Sequence, residues 1–127
     1  MTTKLKNELL CLTERKTIIK KPMAKGIFKI KGIGIRRNEE AIIYSIPNHN
    51  NPQHPYEKGI TFSEFSTVIK QLDEVGFITR DWFNKNLPNC AKEGTCNYTS
   101  LCGILENLGY VKYLGNKSGK YIRSETK

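Results

Sequence analysis

Residues 99–124 read TSLCGILENLGYVKYLGNKSGKYIRS, and this stretch decides the fold. Its first part carries apolar residues at the spacing of one helical face, namely Leu101, Ile104, Leu105 and Leu108. Gly109 then supplies the residue type that commonly ends helices. Residues 110–114 and 120–124 have the character of short strands, and the turn between them is bounded by glycines. The sequence therefore predicts a helix that leads directly into a hairpin.

Upstream of this stretch, a second helix is predicted with clear ends. Thr61 and Glu64 stand at the spacing of a capping box. An apolar stripe at helical spacing follows, formed by Phe62, Phe65, Val68, Ile69, Leu72 and Val75. Gly76 is the expected stop.

Between these two helices we expect a brief strand and one further helix. Phe77–Ile78 is long enough only for a very short strand. Thr79 caps the next helix, and Pro88 ends it. Either Asn97 or Thr99 caps the helix of residues 99–109. The predicted order is helix, strand, helix, helix and hairpin.

In this order, residues 59–124 resemble a winged helix-turn-helix domain. The most specific part is Leu105-Glu106-Asn107-Leu108-Gly109-Tyr110-Val111, which is similar to the passage from recognition helix to wing in many bacterial members. The resemblance implies nucleic-acid binding, usually to duplex DNA. In that family the third helix enters the major groove and the wing contacts the flanking backbone.

The resemblance also implies which residues face the nucleic acid. On the third helix the expected exposed positions are Asn97, Tyr98, Thr99, Ser100, Gly103 and Asn107. On the wing, Lys117, Lys120 and Arg123 suit phosphate contact. The third helix carries Glu106 and no Lys or Arg, although specific readers usually place such a cation on guanine. We therefore expect backbone binding with modest base discrimination, or a winged helix that binds protein instead.

The N-terminal half predicts a short helix and a basic β-hairpin. Residues 4–15 place Leu5, Leu9 and Leu12 on one helical face. Two strands are then expected around a polar turn at residues 37–40, with a bulge at Gly32 where the alternation changes phase. Lys29 and Lys31 would project from one face, with Arg36 and Arg37 at the tip. Residues 48–59, rich in Asn, Pro and His, are expected to form a loop.

Charge favours a polyanionic partner. The formal net charge is +9, and residues 1–60 hold 12 Lys and Arg against 5 Asp and Glu. Between Arg15 and Asn38 there are nine basic side chains and no acidic one. The alternative is that these charges only solvate an exposed sheet face and protect its edge.

Cysteine and histidine patterns give little sign of metal or catalytic chemistry. Cys90, Cys96 and Cys102 are spaced more widely than zinc ligands usually are, although His49, His54 or Cys11 would be available as a fourth ligand. Reduced, partly buried thiols are the favoured interpretation, and no cofactor or metal is expected. We also find no phosphate-binding glycine motif, because Gly32-Ile33-Gly34 lies between strands. The sequence therefore indicates a protein that is not an enzyme.

The predicted fold class is α+β, with a winged-helix domain at residues 59–127 and the helix, basic hairpin and loop at 1–58. No apolar run approaches the length of a membrane span, and the N-terminus is too polar for a signal peptide, so a cytoplasmic location is expected. The expected partner is nucleic acid, with DNA favoured over RNA, and a protein partner is the alternative. A bacterial or phage regulator of transcription, or an accessory factor, fits this size.

Overall fold

The computed structural model describes residues 2–22, 26–115 and 118–124. It confirms the α+β class, with helices and two small antiparallel sheets. The helices are α1 (Thr3–Glu14), α2 (Phe62–Val75), α3 (Arg80–Asn86), α4 (Pro88–Glu93) and α5 (Asn97–Asn107). The strands are β1 (Lys29–Arg36), β2 (Glu39–Ile46), β3 (Tyr56–Thr61), β4 (Phe77–Ile78), β5 (Val111–Tyr113) and β6 (Tyr121–Arg123).

The first sheet has the order β1-β2-β3. The predicted bulge is confirmed, because the register of β1 against β2 shifts between Ile30 and Gly32. The turn between β1 and β2 is tighter than expected. It consists of Arg37 and Asn38, which both adopt positive φ, and β2 already begins at Glu39. Such a two-residue turn matches the right-handed twist of the strands that it joins.

The loop predicted at residues 48–59 is wrong at its end. β3 begins at Tyr56 and pairs with β2 through Thr61, so residues 56–59 belong to the first sheet and not to the loop. The alternation of this short strand is weak in sequence, because Glu57, Lys58 and Gly59 carry no apolar pattern. Pairing with the apolar β2 decides the conformation instead.

The second sheet has the order β4-β6-β5 and packs with α2 and α5. The capping box of α2 is present, and Gly76 ends the helix in the left-handed conformation with φ of 94°. Thr79 caps α3 by accepting a hydrogen bond from the N–H of Trp82 at 3.2 Å. These three signals are confirmed.

The predicted end of α3 is confirmed, because the helix stops at Asn86, just before Pro88. Pro88 also begins the short helix α4, which the sequence did not predict and where its missing N–H costs nothing. One expectation about the next helix is wrong. The cap of α5 is neither Asn97 nor Thr99. The helix begins after Cys96, which makes no side-chain cap bond, and Asn97 is already inside the helix.

One hydrophobic core draws side chains from both halves of the chain. It includes Leu5 and Leu9 of α1, Ile30 of β1, Leu101 of α5 and Tyr121 of β6. The stripe of α5 is confirmed, since Leu101, Ile104 and Leu105 are fully buried. Among the helices of the described residues, none combines the length and apolar character needed to cross a membrane.

Candidate nucleic-acid interface

The segment that follows α1 pairs with the start of β1. Ile18 and Lys29 are antiparallel partners, and backbone hydrogen bonds of 2.8 and 2.9 Å flank this pair. Ile19 and Ile30, one position along on each side, point into the core and are almost completely buried. The pairing therefore adds a short strand-like segment to the edge of the first sheet.

The other side of this pairing faces solvent and is rich in lysine. Residues two apart on a strand share a face, as do antiparallel partners, so the register places Ile18, Lys20, Ile27 and Lys29 on this outer side. Lys16 lies in the turn after α1 with φ of 50°, and Lys31 is the extra residue of the bulge in β1, and a hydrogen bond joins the two beside this surface. We call this surface the lysine face, and it consists of Lys16, Ile18, Lys20, Ile27, Lys29 and Lys31, all exposed. Arg15 is exposed at the adjacent end of α1.

The positive charge of the lysine face is little compensated. Glu57 pairs with Lys31, whose side chain is 60% exposed. No ion pair within residues 2–22, 26–115 and 118–124 involves Lys16, Lys20 or Lys29. The ammonium of Lys16 donates to the carbonyl oxygen of Lys31 at 2.8 Å, which holds the two segments in register.

The two arginines predicted at the hairpin tip are engaged inside the protein. Nε of Arg37 lies 2.7 Å from Glu64, and its Nη1 lies 2.6 Å from Glu93. Arg37 also donates to the carbonyl oxygen of Gly59 at 2.8 Å. Arg36 donates to the same Glu93 at 3.0 Å. These arginines tie the hairpin to the start of α2 and to α4, so little of their charge faces outward.

The expected exposure of the start of α5 is wrong. Asn97, Tyr98 and Ser100 are fully buried. The side chain of Asn97 accepts a hydrogen bond from the hydroxyl of Tyr44 at 2.5 Å and donates one to the carbonyl of Cys90 at 2.8 Å. Amide groups with both partners satisfied in the interior are structural, since exposing them would break both bonds.

Lys21 covers the same end of α5. Its ammonium donates to the hydroxyls of Thr99 and Ser100 at 2.5 and 2.9 Å, and to the carbonyl of Cys96 at 3.3 Å. It also lies 4.3 Å from the ring centre of Phe28. Burial lowers the pKa of Lys21 to about 8. Thr99 is half-buried and engaged in this cluster.

The rest of the face predicted to enter a groove is also covered. A Cβ at Gly103 would lie 2.0 Å from the carbonyl oxygen of Lys20, so the two backbones are in direct contact. At the end of the helix, Asn107 accepts from the N–H of Lys20 at 3.1 Å and donates to the carbonyl of Ile18 at 3.3 Å. Residues 18–21 therefore run along α5 from its end to its beginning.

Two of the three predicted wing residues belong to the described part of the second sheet, with Lys120 just before β6 and Arg123 at its end. Lys120 lies 4.2 Å from the ring centre of Phe77, and Arg123 is exposed on β6. Lys117 lies outside the described residues. Gly115 and Gly119 both adopt positive φ, as a tight turn requires.

None of the four cysteines is part of a disulfide bond. Cys90 and Cys102 are buried, and burial raises the pKa of both thiols well above the ordinary value. Where side chains are described, no group of three or more His, Cys, Asp or Glu residues is arranged to hold a metal ion.

We compared the chain with models of protein families, with curated proteins and with solved structures, and no match was found in any of the three. The interpretation of the surface therefore rests on its own chemistry.

Sequence reasoning missed the contribution of residues 16–20 to this surface. Arg15, Lys16 and Lys20 were counted in the basic run but not assigned to a site. The signal was the β-branched run Thr17-Ile18-Ile19, which is too short to predict a strand by itself. Only pairing with β1 makes that segment extended.

Proposed function

We propose that this protein is a non-enzymatic nucleic-acid-binding protein of the cytoplasm, which holds the phosphate backbone of duplex DNA on its lysine face. The observation that carries the proposal is the pairing of Ile18 with Lys29. This pairing collects lysines from two separate segments on one exposed surface. A cluster of uncompensated ammonium groups attracts phosphates and releases their counterions.

The dimensions of the lysine face suit one strand of phosphate backbone. Side chains two apart on a strand are separated by roughly 6.6 Å, and antiparallel partners by about 5 Å. Lysine binds phosphate as a point charge and does not impose the forked geometry of arginine. The face holds isoleucines between its lysines and no aromatic ring, so it lacks the stacking platform typical of single-strand binders.

Binding of this kind would discriminate poorly between base sequences. The helix expected to read bases is covered by residues 18–21 along its length. Phosphate contacts fix a protein on the duplex but carry no sequence information directly. A regulator or accessory factor that uses this face would therefore depend on DNA backbone or shape.

We also propose that residues 59–124 form a winged helix-turn-helix module whose main role is structural. The element order, the strand order β4-β6-β5 and the left-handed Gly109 support this proposal. The short helix α4 and the covered α5 distinguish it from a typical DNA reader. The covered helix also favours the second candidate function, a winged helix that binds protein.

Fluorescence anisotropy with labelled duplex DNA, single-stranded DNA and duplex RNA tests the proposal. The parent chain should bind duplex DNA most tightly at low salt. Replacing Lys20 and Lys29 together by Gln should weaken binding to every duplex sequence about equally, since the contacts are to phosphate.

A matched control removes the same charge from another surface. Lys85 and Lys92 are exposed on α3 and α4, and Gln at both positions changes the net charge equally. The proposal predicts a smaller loss for this control. Equal losses in the two double variants would show that net charge, and not the lysine face, governs binding.

A further inference from the structure

Two isoleucines lie exposed among the lysines of the lysine face. Ile18 is 55% exposed and Ile27 is 61% exposed. Single exposed apolar side chains are common on protein surfaces, but these two are neighbours on one strongly charged surface. The phosphate contacts proposed above use the lysines and give neither isoleucine a role.

The register places the four central side chains of the lysine face at the corners of a cell. Ile18 lies opposite Lys29, with a backbone hydrogen bond on each side of this pair. The same register sets Lys20 opposite Ile27. Residues two apart on a strand are separated by roughly 6.6 Å and antiparallel partners by about 5 Å, so diagonal neighbours are about 7–8 Å apart. The isoleucines therefore occupy one diagonal of the cell, and the lysines occupy the other.

The crossed diagonals fit a groove of duplex DNA. When the isoleucine diagonal lies along a groove, Lys20 and Lys29 stand on its two sides. Each ammonium ends a flexible four-carbon stem, so the two groups can reach phosphates on opposite strands of a groove about 6 Å wide. Neither ammonium takes part in an ion pair in the described ranges, and Lys31 neutralises Glu57 at the end of the face. The charge available beside the isoleucines is therefore positive.

The apolar character of isoleucine favours the minor groove over the major groove. In the major groove each base pair presents several polar groups, which an apolar side chain would cover without a hydrogen-bond partner. At A·T pairs the minor groove presents fewer polar groups and no amino group, whereas guanine projects its amino group into the groove. Proteins that bind the minor groove insert isoleucine among other apolar side chains. Narrow A·T-rich minor grooves also carry the negative potential that attracts lysine.

We propose that Ile18 and Ile27 enter the minor groove of A·T-rich duplex DNA, with Lys20 and Lys29 on the phosphates of its two strands. This inference rests on the proposed function of the lysine face and adds to it the groove and the base composition. The isoleucines pack on the sugars and base edges, and the lysines hold them there. Recognition of this kind depends on groove shape and on the guanine amino group, not on an ordered base sequence.

Three duplexes of equal length separate the two grooves, and they contain alternating A·T, G·C or inosine·cytosine pairs. Inosine keeps the major-groove edge of guanine and lacks its minor-groove amino group. By fluorescence anisotropy at one salt concentration, the parent chain should bind the A·T duplex about tenfold more tightly than the G·C duplex. The inosine duplex should be bound like the A·T duplex. An inosine duplex bound as weakly as the G·C duplex would overturn the proposal.

Substitution of the isoleucines tests their contact with DNA. Ile18→Thr with Ile27→Thr removes apolar surface and keeps β-branched side chains, which suit strands. This double variant should bind the A·T duplex about tenfold more weakly than the parent. Ile33→Thr with Ile35→Thr is the matched control, because these isoleucines are 41% and 61% exposed on β1 outside the lysine face. Equal affinities of the two double variants, both shown to be folded by thermal unfolding, would contradict groove insertion.

Failure of this inference is distinguishable from failure of the proposed function. The isoleucine variant should keep the salt slope of the parent, because its lysines are unchanged. A salt slope that depends on Lys20 and Lys29, together with equal affinity for the three duplexes, would overturn minor-groove insertion alone. A slope that does not depend on these lysines would overturn both.

Discussion

The carbonyl oxygen of Lys20 lies against Gly103 so closely that a Cβ at residue 103 would be 2.0 Å from it. This contact joins the segment after α1 to the middle of α5. It explains why a glycine occupies the centre of a helix, where it otherwise costs stability. It also explains why α5 is a core helix and not an exposed one.

Gly103→Ala is expected to destabilise the protein, although alanine is the better helix former by about 1 kcal/mol. Forcing the backbones apart should cost roughly 1–3 kcal/mol in addition to cancelling that gain. Urea unfolding measures the change. Gly32→Ala is the control, because a Cβ at residue 32 meets nothing within 4 Å. A Gly103→Ala variant as stable as the parent would show that the two backbones can separate freely.

Replacement of Asn97 should affect stability and leave nucleic-acid recognition unchanged. Asn97→Ala leaves the carbonyl of Cys90 without the amide that donates to it, and it removes the oxygen that accepts from the Tyr44 hydroxyl. The expected loss of stability is about 1–3 kcal/mol. Thermal unfolding measures this cost, and Asn84→Ala on the exposed side of α3 should be nearly neutral. Selection from a random duplex pool should enrich no sequence that depends on Asn97. A sequence that is enriched by the parent and not by Asn97→Ala would show that Asn97 reads bases.

Lys21 gives stability a specific pH dependence. Burial lowers its pKa from 10.5 to about 8, so between these values the unfolded chain binds more protons than the folded one. Stability therefore rises with pH through this group, by about 1 kcal/mol between pH 7 and pH 9. Lys21→Met should remove that rise. As pH increases, the unfolding free energy of the parent should therefore rise relative to that of the variant.

A constant difference between these two proteins over that range would contradict the burial of a charged Lys21. Comparing differences is necessary because tyrosines that are buried in the folded protein ionise at about pH 10 once they are unfolded, which begins to lower stability near the upper end of the range. Tyr44, Tyr98 and Tyr121 have pKa values raised by burial, and they act equally in both proteins.

The Arg37 cluster should matter far more than the exposed pair at Lys31. Arg37→Ala leaves Glu64 and Glu93 without their main partner in a mostly buried site, with an expected loss of roughly 3–5 kcal/mol. Lys31→Ala breaks a pair that is largely exposed, with an expected loss of about 0–1 kcal/mol. Urea unfolding of the two variants makes the comparison, and similar losses would contradict it.

The same cluster makes the protein sensitive to acid. Burial opposes ionisation of Glu93, but hydrogen bonds from Arg37 and Arg36 outweigh it and hold the pKa of Glu93 below its ordinary value. A lowered carboxyl pKa stabilises the folded state above the unfolded pKa, and this stability is lost as pH falls. Glu93→Gln should therefore flatten the acid limb of the stability profile. An unchanged limb would exclude Glu93 as its source.

Local sequence signals predicted both ends of α2 and the bulge of β1. The capping box at Thr61, the left-handed Gly76 and the bulge before Gly32 all depend on backbone chemistry within a few residues. What the sequence could not predict was which surfaces meet. Burial of Asn97 and Ser100 depends on contacts with residues more than fifty positions away, and a polar residue at a helix start is equally typical of a cap.

The lysine face shows the same division. Its lysines were visible as a basic run in the sequence. Lys16 and Lys20 come close to Lys29 only because the segment after α1 pairs with the start of β1. Conversely, Arg36 and Arg37 appeared equally basic and are occupied by Glu64 and Glu93. Charge was predictable from composition, whereas its availability depended on tertiary partners.

The salt dependence of duplex DNA binding tests the central claim most directly. Log affinity should fall linearly with log salt, with a slope near −0.9 for each phosphate that the lysine face neutralises. Lys20→Gln with Lys29→Gln should make the slope shallower by about 2, and the Lys85 and Lys92 control should leave it nearly unchanged. A slope that is the same in the parent and in the Lys20 and Lys29 variant would contradict phosphate binding by the lysine face.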